Sequence, residues 1–217
     1  MLPAPTVRPI GEGAVLIDFG GAISAATNDR VVALDRALAA QPPVGMVETV
    51  PAFVSLMIVF DPLVTDGNEV AAHALALLET ASTVQRTPRE HVIPVRYDPA
   101  SAPDLAAVAE AAGLTPADVI AQHLAGEYRV FMYGFAPGYA YLGGVPPALH
   151  LPRKPRAERG HPVGSVIIAG AQCLITTLPM PTGWWVIGRT DQVILDPTRD
   201  EPFLFDPGDV IRFRRTE

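Results

Sequence analysis

Between Gly134 and Gly144, four glycines and a proline bracket three aromatic rings, in the order Gly134-Phe135-Ala136-Pro137-Gly138-Tyr139-Ala140-Tyr141-Leu142-Gly143-Gly144. Glycine lets backbone N–H groups approach a ligand closely, and aromatic rings supply a dry wall around it. The run reads as a tight loop beside a small-molecule pocket, with Gly134, Phe135, Pro137 and Gly138 as binding candidates. The same residues would equally serve as an irregular loop whose rings fill the base of a barrel. Downstream lies Pro152-Arg153-Lys154-Pro155-Arg156, with Arg159 and His161 close behind. Prolines hold such a segment extended, and a guanidinium grips a carboxylate or phosphate through two parallel N–H bonds. Arg153 and Arg156 are therefore candidate anion anchors, against the plainer reading of a solvated basic loop.

Other constellations are incomplete. His123 falls on the apolar side of a predicted helix with Val119, Ile120 and Leu124, a setting commoner for a hydrogen-bonded core histidine than for a base. Tyr128, five residues on, is its natural partner across the helix end. His73, His91 and His150 lack metal-ligand spacing, and no HExxH motif occurs, so no metal site is expected. Neither a phosphate-binding Gly-x4-Gly-Lys-Ser/Thr nor a GxGxxG after an early strand is found. Ser165 lacks the second glycine of a nucleophile elbow, and Cys173, the single cysteine, has no adjacent base. The residues by themselves give no full catalytic set.

The 217-residue chain is 49% hydrophobic with a formal net charge of -7, enough apolar material for a real core and the wrong charge for a general nucleic-acid binder. No leader-like segment or membrane-length apolar run is read, which predicts a cytoplasmic protein. Its 23 prolines and 18 glycines punctuate short apolar runs and favour strands and turns over a helical bundle.

The elements that must position the candidates follow from periodicity. Ala14 to Ile17 predicts a strand, residues 28–40 a helix stopping before Pro42-Pro43, and Val47 to Phe60 one strand or two divided at Pro51. Asp66 or Asn68 caps a second helix through Val70, Ala74 and Leu77. Strands, helix, strands, helix suggest a compact α+β domain, for which a ferredoxin-like sandwich is the expected form. The polar stretch from Ser82 to Glu90 contains Pro88 and sets the expected boundary, giving domains 1–88 and 89–217. The second opens with a strand over 91–95 and two short helices. One begins near Asp104; the other has Thr115 at its cap, Pro116 in its first turn, and ends at Gly126. Six short strands follow, at Val130 to Tyr133, Val166 to Ala169, Leu174 to Leu178, Trp184 to Ile187, Val193 to Leu195 and Val210 to Phe213. A closed barrel is expected because it removes exposed edges.

Taken in order, several runs resemble one family: Gly134 to Gly144, Pro152-Arg153-x-Pro155-Arg156, Gly164-Ser165-Val166-x-Ile168-Ala169-Gly170, Gly183-Trp184-x-x-Ile187-Gly188-Arg189-Thr190, and Pro207-Gly208-Asp209-x-Ile211-x-Phe213. Earlier pieces agree: Glu48 to Phe53, Ile93-Pro94-Val95, Asp104-Leu105 and His123-x4-Tyr128. The family is that of the bacterial 5-oxoprolinase B subunits, the KipI-like family also called allophanate hydrolase subunit 1. The resemblance implies a small N-terminal α+β domain and a C-terminal cyclophilin-like β-barrel. It implies action with two further components, one KipA-like and one LamB/YcsF-type, opening 5-oxoproline to L-glutamate with ATP hydrolysis. ATP, with Mg, would belong to the assembled complex and not to this chain alone.

On the same resemblance, Arg153, Arg156 and Arg189 are substrate anchors alongside the Gly134 to Gly138 loop, Gly183 and Trp184 join them, and His123 with Tyr128 is the catalytic candidate. Relatives also form part of a urea carboxylase carboxyltransferase domain, and another inhibits a sporulation histidine kinase; both are alternative functions. The chain departs from the family where Val-Pro-Ala-Gly-Ser becomes His161-Pro162-Val163-Gly164-Ser165. It departs again where Gln-Thr-Gly-Ile-Tyr-Pro becomes Gln172 to Thr177, and where Pro-Gly-Gly-Trp becomes Pro181-Thr182-Gly183-Trp184. These changes bear on the substrate more than on the fold.

Overall fold

The computed structural model describes residues 4–81 and 87–217, and they divide into two compact units, Met1–Thr87 and Pro88–Glu217. The first part of the expected linker, residues 82–86, lies outside the described residues. No described helix is long and apolar enough to cross a membrane.

The first unit runs β1 (Thr6–Ile10), β2 (Ala14–Asp18), α1 (Ala25–Ala40), β3 (Met46–Pro51), β4 (Ser55–Phe60) and α2 (Gly67–Ala81). Its sheet has the order β1-β2-β4-β3, antiparallel throughout. From β2 onward the chain reads strand, helix, strand, strand, helix; the strand beside β2 comes from earlier in the sequence. Strand alternation sends Val15, Ile17, Leu56, Ile58 and Phe60 to one face, where they meet Val31, Leu34 and Leu38 of α1 and Val70, Ala74 and Leu77 of α2. A fully buried Val, Leu, Ile or Phe side chain contributes about 1.5–3 kcal/mol relative to exposure. Helix α1 starts three residues before the predicted Asn28, because Ser24 Oγ accepts the Thr27 N–H at 3.1 Å and acts as the cap. Asn28 is buried, its amide nitrogen directed at the carbonyls of Ala52 and Phe53.

The second unit holds β5 (Glu90–Val95), α3 (Leu105–Ala112), α4 (Pro116–Ala125), β6 (Tyr128–Tyr133), β7 (Ala140–Gly143), β8 (Ser165–Ala169), β9 (Gln172–Ile175), β10 (Trp185–Arg189) and β11 (Val210–Arg215). The sheet order is β10-β8-β9-β7-β6-β11-β5, with only the β11–β5 pair parallel. Beyond β5 the chain reaches β10. Arg96 N–H donates to Arg189 O at 2.8 Å and Arg189 N–H to Arg96 O at 3.0 Å, so these two residues join the outer strands into a nearly closed barrel. Val95, Val130, Leu142, Ile168, Ile175, Ile187 and Ile211 share its main core with Val108 and Val119 of the helices. Asp209, fully buried, accepts the N–H groups of Arg89 and Asp206 at 3.0 and 2.9 Å and meets His91 Nε2 at 3.0 Å, which ties β5 to the turn before β11.

Two sequence expectations shift. The glycine-rich run is not all loop: its second half is β7, where Ala140 and Leu142 point to the main core while Tyr139 and Tyr141 join an apolar cluster on the other side of the wall. The expected strand at Val193 to Leu195 keeps a single bridge, Leu195 to Phe203, because no full-length partner runs beside it.

Candidate functional site

A cleft of about 270 Å3 opens beside the barrel seam, its lining including Gly164, Thr176, Thr177, Arg189, Asp191 and Leu195. Backbone bonds bring these together from three segments. Gly164 N–H donates to Thr176 O at 2.8 Å, and Thr190 N–H donates to Gly164 O at 2.9 Å. Gly164 cannot be another residue here: its φ is +84°, and a Cβ would lie 2.1 Å from the Thr190 carbonyl oxygen. The Thr177 hydroxyl donates to Pro137 O at 2.6 Å, which draws the Gly134–Gly138 loop against the cleft. Gly138, at φ +75°, leaves room there, since its Cβ would sit 2.9 Å from Leu195 Cβ.

The electrostatics centre on Arg189. Its Nε is sealed from solvent and has no hydrogen-bond partner. Asp191, two residues on, instead takes a two-pronged ion pair from Arg96, with Nη2 to Oδ1 at 2.9 Å and Nη1 to Oδ2 closer still. The hydrogen bonds from Arg96 lower the Asp191 carboxyl, and the nearby charge of Arg189 adds to this. Neither possible nucleophile is available. The Ser165 hydroxyl donates to Pro162 O at 2.7 Å, and burial pushes the Cys173 thiol up. Among the described residues no group of three or more His, Cys, Asp or Glu is placed to hold a metal ion.

The remaining binding candidates separate into neighbouring patches. Phe135 sits at the loop tip with φ +69° and 74% of its surface exposed, its ring 5.8 Å from that of Tyr139. It is the one described non-glycine residue in the left-handed region, a conformation that costs about 1–3 kcal/mol. Gly134 packs under Met132 and Tyr141. Trp184 is buried against the outer face of the barrel wall, edge-on to Tyr141 at 6.0 Å, and the Arg153 guanidinium lies 5.7 Å over its ring. The Gly183 carbonyl accepts the Lys154 N–H at 2.7 Å, and Arg156 is exposed. Thus Pro137, Gly138 and Arg189 border the cleft, whereas Arg153 and Trp184 form a separate stack outside its lining.

His123 and Tyr128 are brought together, but in the core. Both are fully buried. The Tyr128 hydroxyl donates to the His123 carbonyl at 3.1 Å, and His123 Nδ1 shares a 2.7 Å hydrogen bond with the Tyr97 hydroxyl. The imidazole stacks on Phe213 at 4.5 Å. Burial lowers its pKa to about 3, so it is neutral at ordinary pH. Neither residue lines the cleft.

Sequence reasoning had Thr177 only as a departure from the family motif, and it missed Asp191 and Arg96, which carry no motif signal before the seam joins them. It also missed Lys154. That ammonium is buried, 2.8 Å from Asp104 Oδ2 and 2.7 Å from Glu158 Oε2. Desolvation opposes its charge, but these hydrogen bonds outweigh it and raise the pKa. Asp104 Oδ2 also accepts the Val186 N–H at 2.7 Å, so the side chain at the start of α3 ties that helix to β10 and does not cap it. The alternation of an extended segment was the available signal, since it puts Lys154 on the face opposite Arg153.

A family model described as carboxyltransferase domain, subdomain C and D, matches residues 5–205. The 5-oxoprolinase B subunit of Escherichia coli O157:H7 is 36% identical over 94% of this chain and 93% of its own length. That of Bacillus subtilis (strain 168) is 34% identical over 96% of this chain and 92% of its own. In the crystal structure of TTHA0988, a region 38% identical superimposes with a TM-score of 0.82 over 98% of this chain, which spans only 40% of that longer one. With the family model matching most of its length and the relatives covered nearly end to end, the chain belongs to the carboxyltransferase subdomain C and D family, among its 5-oxoprolinase B-subunit members.

Proposed function

We propose that this chain is the cytoplasmic B subunit of an ATP-dependent 5-oxoprolinase, which opens the 5-oxoproline lactam to L-glutamate, and that its cleft holds the substrate carboxylate. One observation carries the reading: Arg189 borders a small cleft with a buried, unpartnered Nε. A guanidinium whose Nε–H is sealed from water and unpaired in the free chain suits an anion as its partner. The Thr177 hydroxyl commits its proton to Pro137 O, so its oxygen is left to accept. A cation beside an acceptor suits a carboxylate next to an N–H, which is how 5-oxoproline presents itself. The cleft is smaller than the ~300–1,000 Å3 of drug-sized sites, as a single small ring requires.

Lactam opening needs more than this. Amide resonance resists attack by water, and ATP can relieve it by phosphorylating the carbonyl oxygen, with donors facing the developing charge. One guanidinium in so small a cleft does not fit three phosphates, so ATP and its Mg belong to the other components of the complex. With Ser165 and Cys173 both disqualified as nucleophiles, the role of this chain is to bind and orient. Around the cleft Phe135, Val163, Leu178 and Val193 are exposed apolar residues, which supports closure of the site by a partner. We assign that role to the KipA-like component, acting with a LamB/YcsF-type one. The two units are read as a rearranged ferredoxin-like sandwich and a cyclophilin-like barrel.

The carboxyltransferase description of the family model favours one other reading, part of a urea-type carboxylase. Urea itself carries no carboxylate, so in that reading Arg189 would serve the carboxylate being transferred and not the substrate. Co-expression with the two partner proteins, followed by ATP-dependent glutamate release from 5-oxoproline, separates these. Product is expected, and Arg189→Met should raise KM about 100-fold. An assembled complex that releases no glutamate overturns the proposal.

A further inference from the structure

Arg189 and Asp191 lie two residues apart on the same cleft wall, carry opposite charges, and yet are not paired. Left alone, they would neutralise each other, and the cleft would lose its attraction for an anion. What intervenes is Arg96. Its backbone is locked to Arg189 by the two hydrogen bonds that close the barrel, so its side chain always issues beside this wall. From there its guanidinium takes both oxygens of Asp191. The pair is half open to water: the Arg96 side chain is 30% exposed and that of Asp191 67%. An ion pair so exposed adds little to stability. Its value lies in where it keeps the carboxylate.

We infer that Arg96 is a positioning residue for substrate binding: by holding Asp191 in a two-pronged ion pair, it keeps the Arg189 guanidinium free for the substrate anion. The inference rests on the proposed role of the cleft and adds a residue outside its lining. The charge of Arg189 already reaches Asp191, so loss of Arg96 leaves that carboxylate one obvious partner. A substrate would then have to displace a tethered competitor at high effective concentration.

The test uses the assembled complex for kinetics and the 15N-labelled chain for the Arg189 Nε–H resonance. Arg96→Met should raise KM for 5-oxoproline about tenfold with kcat within about twofold, because ground-state binding is lost. The Arg189 resonance should move as Asp191 pairs with it. In Arg96→Met/Asp191→Asn the competitor has lost its charge, so KM should return most of the way and the resonance should revert. Rescue by removing a second charge is not expected of a merely structural residue. Arg96→Lys, which keeps the charge but not the fork, should fall between, and it serves if the methionine variant folds poorly. A wild-type KM in Arg96→Met, with a raised KM in Arg189→Met, overturns the inference and leaves the proposed function standing. A silent Arg189→Met removes the substrate reading of the cleft, and the resonance in Arg96→Met then decides whether Arg96 restrains Asp191: an unmoved signal rejects it.

Discussion

The cleft beside the seam and the aromatic core around His123 hold polar groups under opposite conditions. In the core, Tyr97, His123, Tyr128 and Phe213 lie within 6 Å ring to ring, every hydroxyl is engaged, and the imidazole is neutral. At the cleft, Arg189 lies beside an opening with its Nε unpaired. Histidine and tyrosine are the more versatile chemical groups, yet here burial spends them on packing. Arginine cannot trade protons, and its use is binding. The difference teaches that residue type suggests chemistry but access decides it.

Three measurements bear on that contrast. Tyr128→Ala should be the most damaging, costing about 3–5 kcal/mol in urea unfolding, because it empties the centre of the ring cluster and removes the bond to His123 O. If the complex tolerates it with stability intact, the packing role is wrong. Acid unfolding comes next. The folded pKa of His123 lies near 3 against 6.5 when unfolded, so the unfolded chain binds more protons between those values. Stability should therefore fall as pH drops through that window, by up to about 1.4 kcal/mol per pH unit from this residue. His123→Phe should flatten that limb while leaving kcat within about twofold; a collapse of kcat in a folded variant would return His123 to the chemistry. Smallest is Thr177→Val, expected to raise KM about fivefold with stability within about 1 kcal/mol, since one hydrogen bond and one acceptor are lost.

Local signals carried much of the fold into view. Thr115, Pro116 and Asp118 announce α4, and the structure closes the capping box that they spell. Two strands do form, with Pro51 the last residue of the first, and Asp66 does cap α2, its Oδ1 accepting the N–H groups of Asn68 and Glu69. The site was less legible. Arg189 stood out only inside a longer motif, and Arg96, 93 positions earlier, had no reason to be read with it until two hydrogen bonds brought strands β5 and β10 together. Thr177 and Asp191 are ordinary surface types whose meaning comes from the wall they share. In the basic segment, charge drew the eye to Arg153 and Arg156, whereas the buried ammonium of Lys154 holds the segment in place. Pattern reports neighbours along the chain; this cleft is built from neighbours across it.

The parallel pairing of β11 with β5 has a consequence for synthesis. Six residue pairs, Val210↔Glu90 through Arg215↔Val95, join the first strand of the second unit to its last. A chain emerging from the ribosome presents β5 more than 100 residues before its partner exists, so the edges of β5 and β6 stay open through most of the synthesis of the second unit. Unpaired edges recruit other chains. The residues that complete this barrel therefore also end its period of greatest exposure to aggregation, and a ribosome stalled before Val210 would release a product with two adhesive strands.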